Sequence, residues 1–403
     1  MKQLIRIAIR NVIRQKRRSL FAGLSIFTGI GFVIFLSGFF NGFIDNVINS
    51  TVQASLGAIQ IHHTKYLSAD TDRIKYDMPW NKDLLARIHA VSGVINITPR
   101  IMFEGLLTHG AQSSVFMATA IDPDTEYTVC PKRKDIENQP SLTNQNQQAI
   151  FLGDELAQGI GANLQDTIVL QATTQTSNIN ALDASVQGTL SLNVPFQAKR
   201  MLVTSLRFAQ NLLRMPGRVT EYAIQINDLK NAKTIAQAIS RSLGHEYEVL
   251  TWEERDLMVK QFVTRLKIIF GFINVILFVL ITAGIINTML MAVYERTKEI
   301  GTMIAIGTKR WQIMALFLIE SATLGCIAAC LGAFFGTLII THLSHTGVFL
   351  KPPGTKMVQI FPHIGIFDIF TVIIIALIGA VFSALYPAYK ASKLKPVDAL
   401  RAH

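Results

Sequence analysis

The chain has 403 residues, half of them hydrophobic and only 16% charged, and its mean hydropathy is +0.35. Apolar content this high excludes a disordered chain, and three cysteines exclude a disulfide scaffold. The 38 Lys and Arg against 27 Asp and Glu leave a net charge of +11. That excess fits nucleic acid, a membrane surface or a topology signal until the charges are placed along the chain.

Residues 1–18 hold Lys2, Arg6, Arg10, Arg14, Lys16, Arg17 and Arg18 and no acid. Four of these bases recur every fourth residue, opposite Leu4, Ile5, Ala8, Ile9 and Val12. The pattern reads as an amphipathic interfacial helix, with Arg6, Arg10, Arg14, Arg17 and Arg18 toward lipid headgroups, or as a plain topology signal. DNA binding would also need base-reading elements, and none is evident. Residues 19–44 carry no charge and are long enough to cross a bilayer, which takes about 20 apolar residues. The run is too long for a signal-peptide core and no small-x-small cleavage site follows it, so it reads as an uncleaved anchor. Phe43, Val47, Ile48 and Val52 keep helical spacing and prolong that helix.

Residues 45–263 have ordinary mixed composition, too polar to hide in lipid. Strands are predicted at Ala58–His62, Val94–Ile101, Ser114–Ile121, Thr167–Gln171, Thr189–Val194 and Tyr222–Ile226. Helices are predicted at Lys82–His89, Asp154–Ile160 and Lys230–Leu243. Together they predict an α+β or α/β domain. Cys130–Gln148 and Thr173–Asp183 read as polar loops. Cys130 is the only cysteine in this domain, so no disulfide forms within it. His62 and His63 are neighbours on a strand and point to opposite faces, which argues against a metal pair.

From Trp252 the pattern is helical without a break, a stalk running into a second span at 264–294. A third span at 311–342 is interrupted only by Glu320, and a fourth runs over 367–389. Cys326 and Cys330, four apart in the third span, are expected to pack as small apolar side chains. The loop 343–366 holds Pro352-Pro353-Gly354, a stiff turn. With four spans, residues 1–18, 295–310 and 390–403 share one side. They hold 15 basic and 3 acidic residues, so everything else is close to neutral. The positive-inside rule makes that side cytosolic and places 45–263 outside the cytosol. The expected fold is therefore an integral membrane α-helical protein with four transmembrane helices and a large α+β extracytoplasmic domain inserted between helices 1 and 2.

No Walker A loop, H-E-x-x-H, G-x-S-x-G or C-x-x-C occurs. Catalysis and metal binding by this chain are not expected, so any nucleotide-driven work needs a partner that hydrolyses it. The segment 295–310 suits such a partner. Glu295, Arg296, Lys298 and Glu299 precede a short helix that would show Ile300, Met303 and Ile304 on one face, and Gly307 breaks it. Glu320 is a carboxylate inside a span, which is costly and marks either function or pairing within a bundle.

The plan of one span, a large exterior domain and three spans resembles the MacB/FtsX-like permeases of type VII ABC transporters. The most specific motif is Glu295, Arg296, Thr297, Lys298, Glu299, Ile300 and Gly301, with Ile306, Gly307 and Arg310, which looks like the family's coupling segment. Phe317-Leu-Ile-Glu320 and Tyr386-Pro387-Ala388 through Arg401 also match, as do Gly153-Asp-Glu-Leu-Ala157 with Gly161-Ala-Asn-Leu164 and Asp166. Leu250-Thr-Trp252 and Pro352-Pro353-Gly354 look closest to the lipoprotein-releasing LolC/LolE branch. The resemblance implies a permease in a bacterial inner membrane, multi-pass, with its large domain in the periplasm. It implies a second permease chain, identical or homologous, and two copies of a cytosolic ABC ATPase that binds ATP and Mg. It also implies a lipidated or amphipathic substrate, lipoprotein first, with a periplasmic chaperone or adaptor. Efflux of a drug or peptide, or activation of a cell-wall hydrolase, are the alternatives.

Overall fold

The computed structural model describes residues 16–68, 73–137, 141–190, 199–351 and 358–394; the side chains of residues 16–18 and 136 are left aside. The expected amino-terminal amphipathic helix, with Arg6, Arg10 and Arg14, lies outside these residues, as do Pro352-Pro353-Gly354 and the carboxyl-terminal motif from Pro396. The described residues fall into two compact units, one within 47–262 and the other within 16–46 and 263–394.

Helix α1 (Lys16–Thr51) outruns the expected span 19–44, because helical hydrogen bonding needs no lipid to continue. It ends in a π-helical turn, Val52–Leu56. The inserted unit then builds β1 (Ile59–His63), β2 (Met78–Pro79), α2 (Lys82–His89), β3 (Val94–His109), β4 (Gln112–Ile121), α3 (Pro123–Val129) and α4 (Arg133–Ile136). β5 (Ala149–Gly153), α5 (Asp154–Gly159), β6 (Thr167–Thr173), β7 (Ile179–Leu190), β8 (Met201–Ser205) and α6 (Leu206–Leu213) follow. β9 (Arg218–Val219), β10 (Glu221–Ile226), α7 (Ala232–Leu243), β11 (Tyr247–Thr251) and α8 (Trp252–Arg255) close it.

Nine strands run in the order β11-β1-β10-β3-β4-β8-β5-β7-β6, and β6 pairs back onto β3. The six strands from β3 to β6 therefore close into a barrel, while β11, β1 and β10 extend β3 into a sheet. β3 is long enough to serve both: its residues 94–100 pair with β10, and its residues 100–109 pair with β4. Closure needs Gly105, where a Cβ would meet the Gln171 carbonyl oxygen at 2.1 Å. β6 alternates cleanly, with Ile168, Leu170 and Ala172 buried, as a strand with one face on a core must. Amphipathic α2 and α7 bury Leu84, Ile88, Ile235 and Ile239 in the same core.

Two loop expectations for this unit are corrected. The segment Cys130–Gln148 is not a uniform polar loop: it contains α4, and Cys130 and Arg133 are buried. Thr173–Asp183 is mostly strand, because β6 and β7 pair from Thr173↔Ile179 and leave only a tight turn. Of the predicted strand Thr189–Val194, only its first two residues fall in β7, and the rest lies outside the described residues. The helix from Trp252 is also broken. A capping box ties Thr251 to Glu254 in α8, and Asp256 leaves helical geometry (φ −111°, ψ 86°) before the next helix starts.

The other unit adds α9 (Leu257–Glu295), α10 (Thr297–Ala305), α11 (Arg310–Thr346), β12 (Val348–Leu350), β13 (Val358–Ile360) and α12 (Ile366–Ser392). Among the described residues, α1, α9, α11 and α12 are the four helices long and apolar enough to cross a membrane. Ahead of α12, β12 and β13 pair antiparallel, Val348 opposite Ile360 and Leu350 opposite Val358. Ile26, Ile30 and Ile34, one turn apart on α1, pack with Ile285, Met289, Ala328, Ala329, Ala333 and Ala380. Small residues let the backbones approach: a Cβ on Gly332 would meet the Phe27 carbonyl oxygen at 2.5 Å. Cys326 and Cys330 face out from α11 instead of packing inside the bundle.

Candidate functional site

α9 stops because Arg296 leaves helical ψ (φ −104°, ψ 16°), and the chain turns into the nine-residue α10. Gly307, at φ +95°, terminates the segment where a side chain would be strained. The apolar side of α10 points inward. Ile300 is 1% exposed and packs with Ala292, Val293, Ile313, Phe317, Ala388 and Ala391. Met303 and Ile304 lean on the same cluster. This corrects the expectation that the apolar face would meet a partner: burial there outweighs exposure, so Ile300 and Gly301 hold α10 to the ends of α9, α11 and α12. The exposed side carries Glu295, Lys298, Glu299, Thr302 and Ile306. Thr297 turns back, its hydroxyl donating to the Tyr294 carbonyl at 2.7 Å.

Arg296 is the key to the arrangement. Its Nη1 lies 3.0 Å from Glu320 Oε2, and its Nε donates to Glu299 Oε2 at 3.0 Å. Arg296 and Glu320 are both buried, whereas the Glu299 side chain is 58% exposed. The guanidinium also sits 5.9 Å from the centre of the Phe317 ring. The carboxylate within α11 is thus the partner of the turn that leads into α10. One α11 residue further on, Ser321 donates to the Ala380 carbonyl at 2.8 Å and ties α11 to α12. The ammonium of Lys390 bonds the Tyr294 hydroxyl and joins the ends of α12 and α9. α10 is therefore tied by packing and an ion pair to the ends of three spans, which are tied to one another. The spacing of Arg296 and Glu320 gave no signal of their contact, since 24 residues and a turn separate them.

A second feature of this unit is a cavity of about 500 Å³ between α1, α9 and α12. Ile26, Ile30, Phe278 and Ile285 line one end, and Asn41, Lys267, Asn274 and Asp368 line the other, where α12 begins. Two further ionic groups in the inserted unit were not anticipated: Arg100 with Glu126, Arg133 and Glu221, and Asp77 with Arg218. Charged residues at strand positions give no pattern by which partners from distant strands are found. His62 is buried beside Glu221 while His63 is half-exposed, so the pair does point apart. Among the described residues, no group of three or more His, Cys, Asp or Glu comes together to hold a metal ion.

The fold and site define a polytopic membrane protein with a large inserted domain and a short helix keyed to three spans. Residues 271–396 match the family model "FtsX-like permease C-terminal". The lipoprotein-releasing system transmembrane protein LolC of Xylella fastidiosa is 23% identical over 324 residues, 76% of this chain and 78% of that protein. The macrolide export ATP-binding/permease protein MacB of Mannheimia succiniciproducens is 24% identical over 402 residues, 98% of this chain and 60% of that protein. The periplasmic region of MacB from Actinobacillus actinomycetemcomitans aligns over 54% of this chain and 97% of its own length, at 14% identity and TM-score 0.36. Residues 271–396 are an FtsX-like permease domain, and the chain that carries it is related to the permeases LolC and MacB at modest identity.

Proposed function

We propose that this permease uses ATP hydrolysed by a separate cytosolic ABC ATPase to extract a lipidated substrate from the outer face of a bacterial inner membrane. Lipoprotein release is the favoured form of that activity. The observation that carries the substrate class is the cavity between α1, α9 and α12. Its apolar end suits a hydrocarbon chain, and its end with Lys267, Asp368, Asn41 and Asn274 suits a polar headgroup or linkage. The likeness to LolC supports the same choice.

In this reading two ATPase copies bind ATP and Mg, and each docks on the exposed side of α10, at Glu295, Lys298, Glu299 and Ile306. A second permease chain completes the assembly, and a periplasmic chaperone or adaptor receives the substrate. The distribution of basic residues supports this orientation, with α10 in the cytosol and residues 47–262 in the periplasm. Arg17 and Arg18 then lie at the cytosolic lipid surface. Neither ATP nor Mg is held by the residues of this chain in this scheme: the permease converts the approach of two ATPases into movement of its helices.

The test is photocrosslinking from Ile285 in proteoliposomes that contain the permease, its ATPase and either an acylated lipoprotein or the same protein without its lipid. Acylation-dependent crosslinking that ATP abolishes is the expected result. Equal crosslinking of both forms would overturn the substrate class. The MacB likeness favours drug or peptide efflux as the second reading, and ATPase stimulation by a macrolide but not by lipoprotein would move the assignment there.

A further inference from the structure

The end of α1 does not run out into solvent. Its last residues fold with the inserted unit, which begins at residue 47. A helix leaves its final carbonyls without intrahelical partners, and these carry partial negative charge. In the turn Val52–Leu56 they are taken up by side chains and amides from distant parts of the domain. The Lys132 amide donates to the Gln53 carbonyl at 3.1 Å, and the Cys130 thiol reaches the Val52 carbonyl at 3.5 Å. Arg100 Nη1 donates to the Ser55 carbonyl at 2.7 Å and reaches that of Leu56 at 3.4 Å.

The same guanidinium is fixed from behind. Its Nε and Nη2 hold the two oxygens of Glu126 at 2.8 and 2.7 Å, and Nη1 also lies 3.1 Å from Glu221. Arg133 adds a contact to Glu126 at 2.8 Å. All four charged residues are at most 2% exposed. Burial by itself would raise the Glu126 carboxyl, but Arg100 and Arg133 beside it hold it below its ordinary range. Burial works against the Arg100 charge as well, and its neighbours, Glu126 foremost with Cys130 and Glu221, more than restore it. Apolar residues of the same volume would serve stability as well as this buried cluster does. What a guanidinium adds is direction, because its planar fork fixes a carboxylate on one edge and a helix end on the other. Arg100 also stands where β3 passes from pairing with β10 to pairing with β4, opposite Glu221 and Ile121.

We propose that Arg100 is a positioning residue: it seats the carbonyl end of α1 on β3, so that displacement of α1 reaches both the sheet and the barrel. This rests on the reading of the chain as an ATP-driven permease. The π-helical turn is the socketed piece, and Glu126 is the backstop that keeps the guanidinium aimed at it. A lysine at position 100 keeps the charge beside Glu126 but lacks the second arm for the Ser55 carbonyl.

Hydrogen exchange on the intact permease–ATPase complex, with and without ATP and vanadate, tests this in wild type, R100K and R100M. In R100K the amides of Val52–Gly57 are expected to exchange about tenfold faster or more, the loss of one charged hydrogen bond, while the β3–β4 pairing stays protected. Basal ATPase activity is retained, and the nucleotide-dependent change in the inserted domain is lost. Unchanged protection of Val52–Gly57 in both variants would overturn the seating. Lost protection with an intact nucleotide response would overturn the positioning role. R100M, should it fail to fold, leaves R100K to decide. A wild-type complex whose inserted domain ignores nucleotide would refute the permease mechanism itself, a result recognisable before any variant is compared.

Discussion

The ion pair between Arg296 and Glu320 sets a quantitative test of how α10 is held. In E320A the guanidinium keeps its site but loses its buried partner at 3.0 Å. Removing one member of a buried pair costs about 3–5 kcal/mol, most of it the penalty of an uncompensated charge. Glu299 remains 3.0 Å from Arg296 Nε, yet its side chain is 58% exposed, so it returns only a fraction of that cost. The expected loss is therefore about 3 kcal/mol for E320A, and about 1–2 kcal/mol for E320Q, which retains an acceptor for Nη1. The double variant R296M/E320L leaves no buried charge and is expected to be less damaging than E320A alone. Thermal unfolding of the purified permease in nanodiscs reads the ranking, and ATPase stimulation in the reconstituted complex reads coupling. In E320A both fall; in the double variant stability recovers while stimulation does not, because α10 is then packed but no longer keyed to α11. E320A melting like wild type, or a double variant as damaging as both single changes added, would refute the reasoning.

Gly332→Leu places a Cβ 2.5 Å from the Phe27 carbonyl oxygen, a backbone atom that no rotamer change can move. The expected loss is about 1–3 kcal/mol in nanodisc melting; G271A, with nothing within 4 Å, is the control and is expected to be neutral or slightly stabilising. Gly105→Ala meets the Gln171 carbonyl oxygen at 2.1 Å and should open the β3–β6 seam, read as proteolysis of the full chain within 94–109 and 167–173 while the sheet strands β1 and β10 stay intact. Acid should loosen the inserted domain in two stages. Burial depresses the His62 pKa below 6.5, against the pull of Glu221, so the unfolded chain binds the extra proton first and stability falls as pH drops below about 6.5. Glu126, also depressed, adds a second loss below its ordinary 4.5. H62Q should flatten the first stage and leave the second, and a pH profile in which H62Q matches wild type would contradict the assignment.

The membrane plan was legible because a span is a statement about composition over about 20 residues, and composition needs no partner to be read. The helices α2 and α7 were legible for a related reason: their apolar spacing matches one face of a helix, and each buries that face against a sheet. β5 and β8 were missed because a strand of five residues buried on both faces shows no alternation, and β11, an edge strand half-buried at four of its five positions, shows none either. β5 is Ala149-Ile-Phe-Leu-Gly153, all buried, and its place between β7 and β8 is set by a barrel that no local window contains. The short helix α10 was found by motif and charge, but its apolar face was aimed the wrong way. A nine-residue helix with Ile300, Met303 and Ile304 on one side has no local means of distinguishing a partner from its own bundle. The three helix ends that bury Ile300 come from residues 292–293, 313–317 and 388–391, and they decide the matter. Buried charge follows the same logic. Arg100 and Glu126 give no local sign of each other, and Glu320, expected either to act or to pair within the bundle, has its partner Arg296 named only by the fold. Both pairs anchor a short helical piece, α10 in one unit and the π-helical turn of α1 in the other. In both, a guanidinium grips a carboxylate on a neighbouring element and makes a contact that apolar packing alone would leave free to slide.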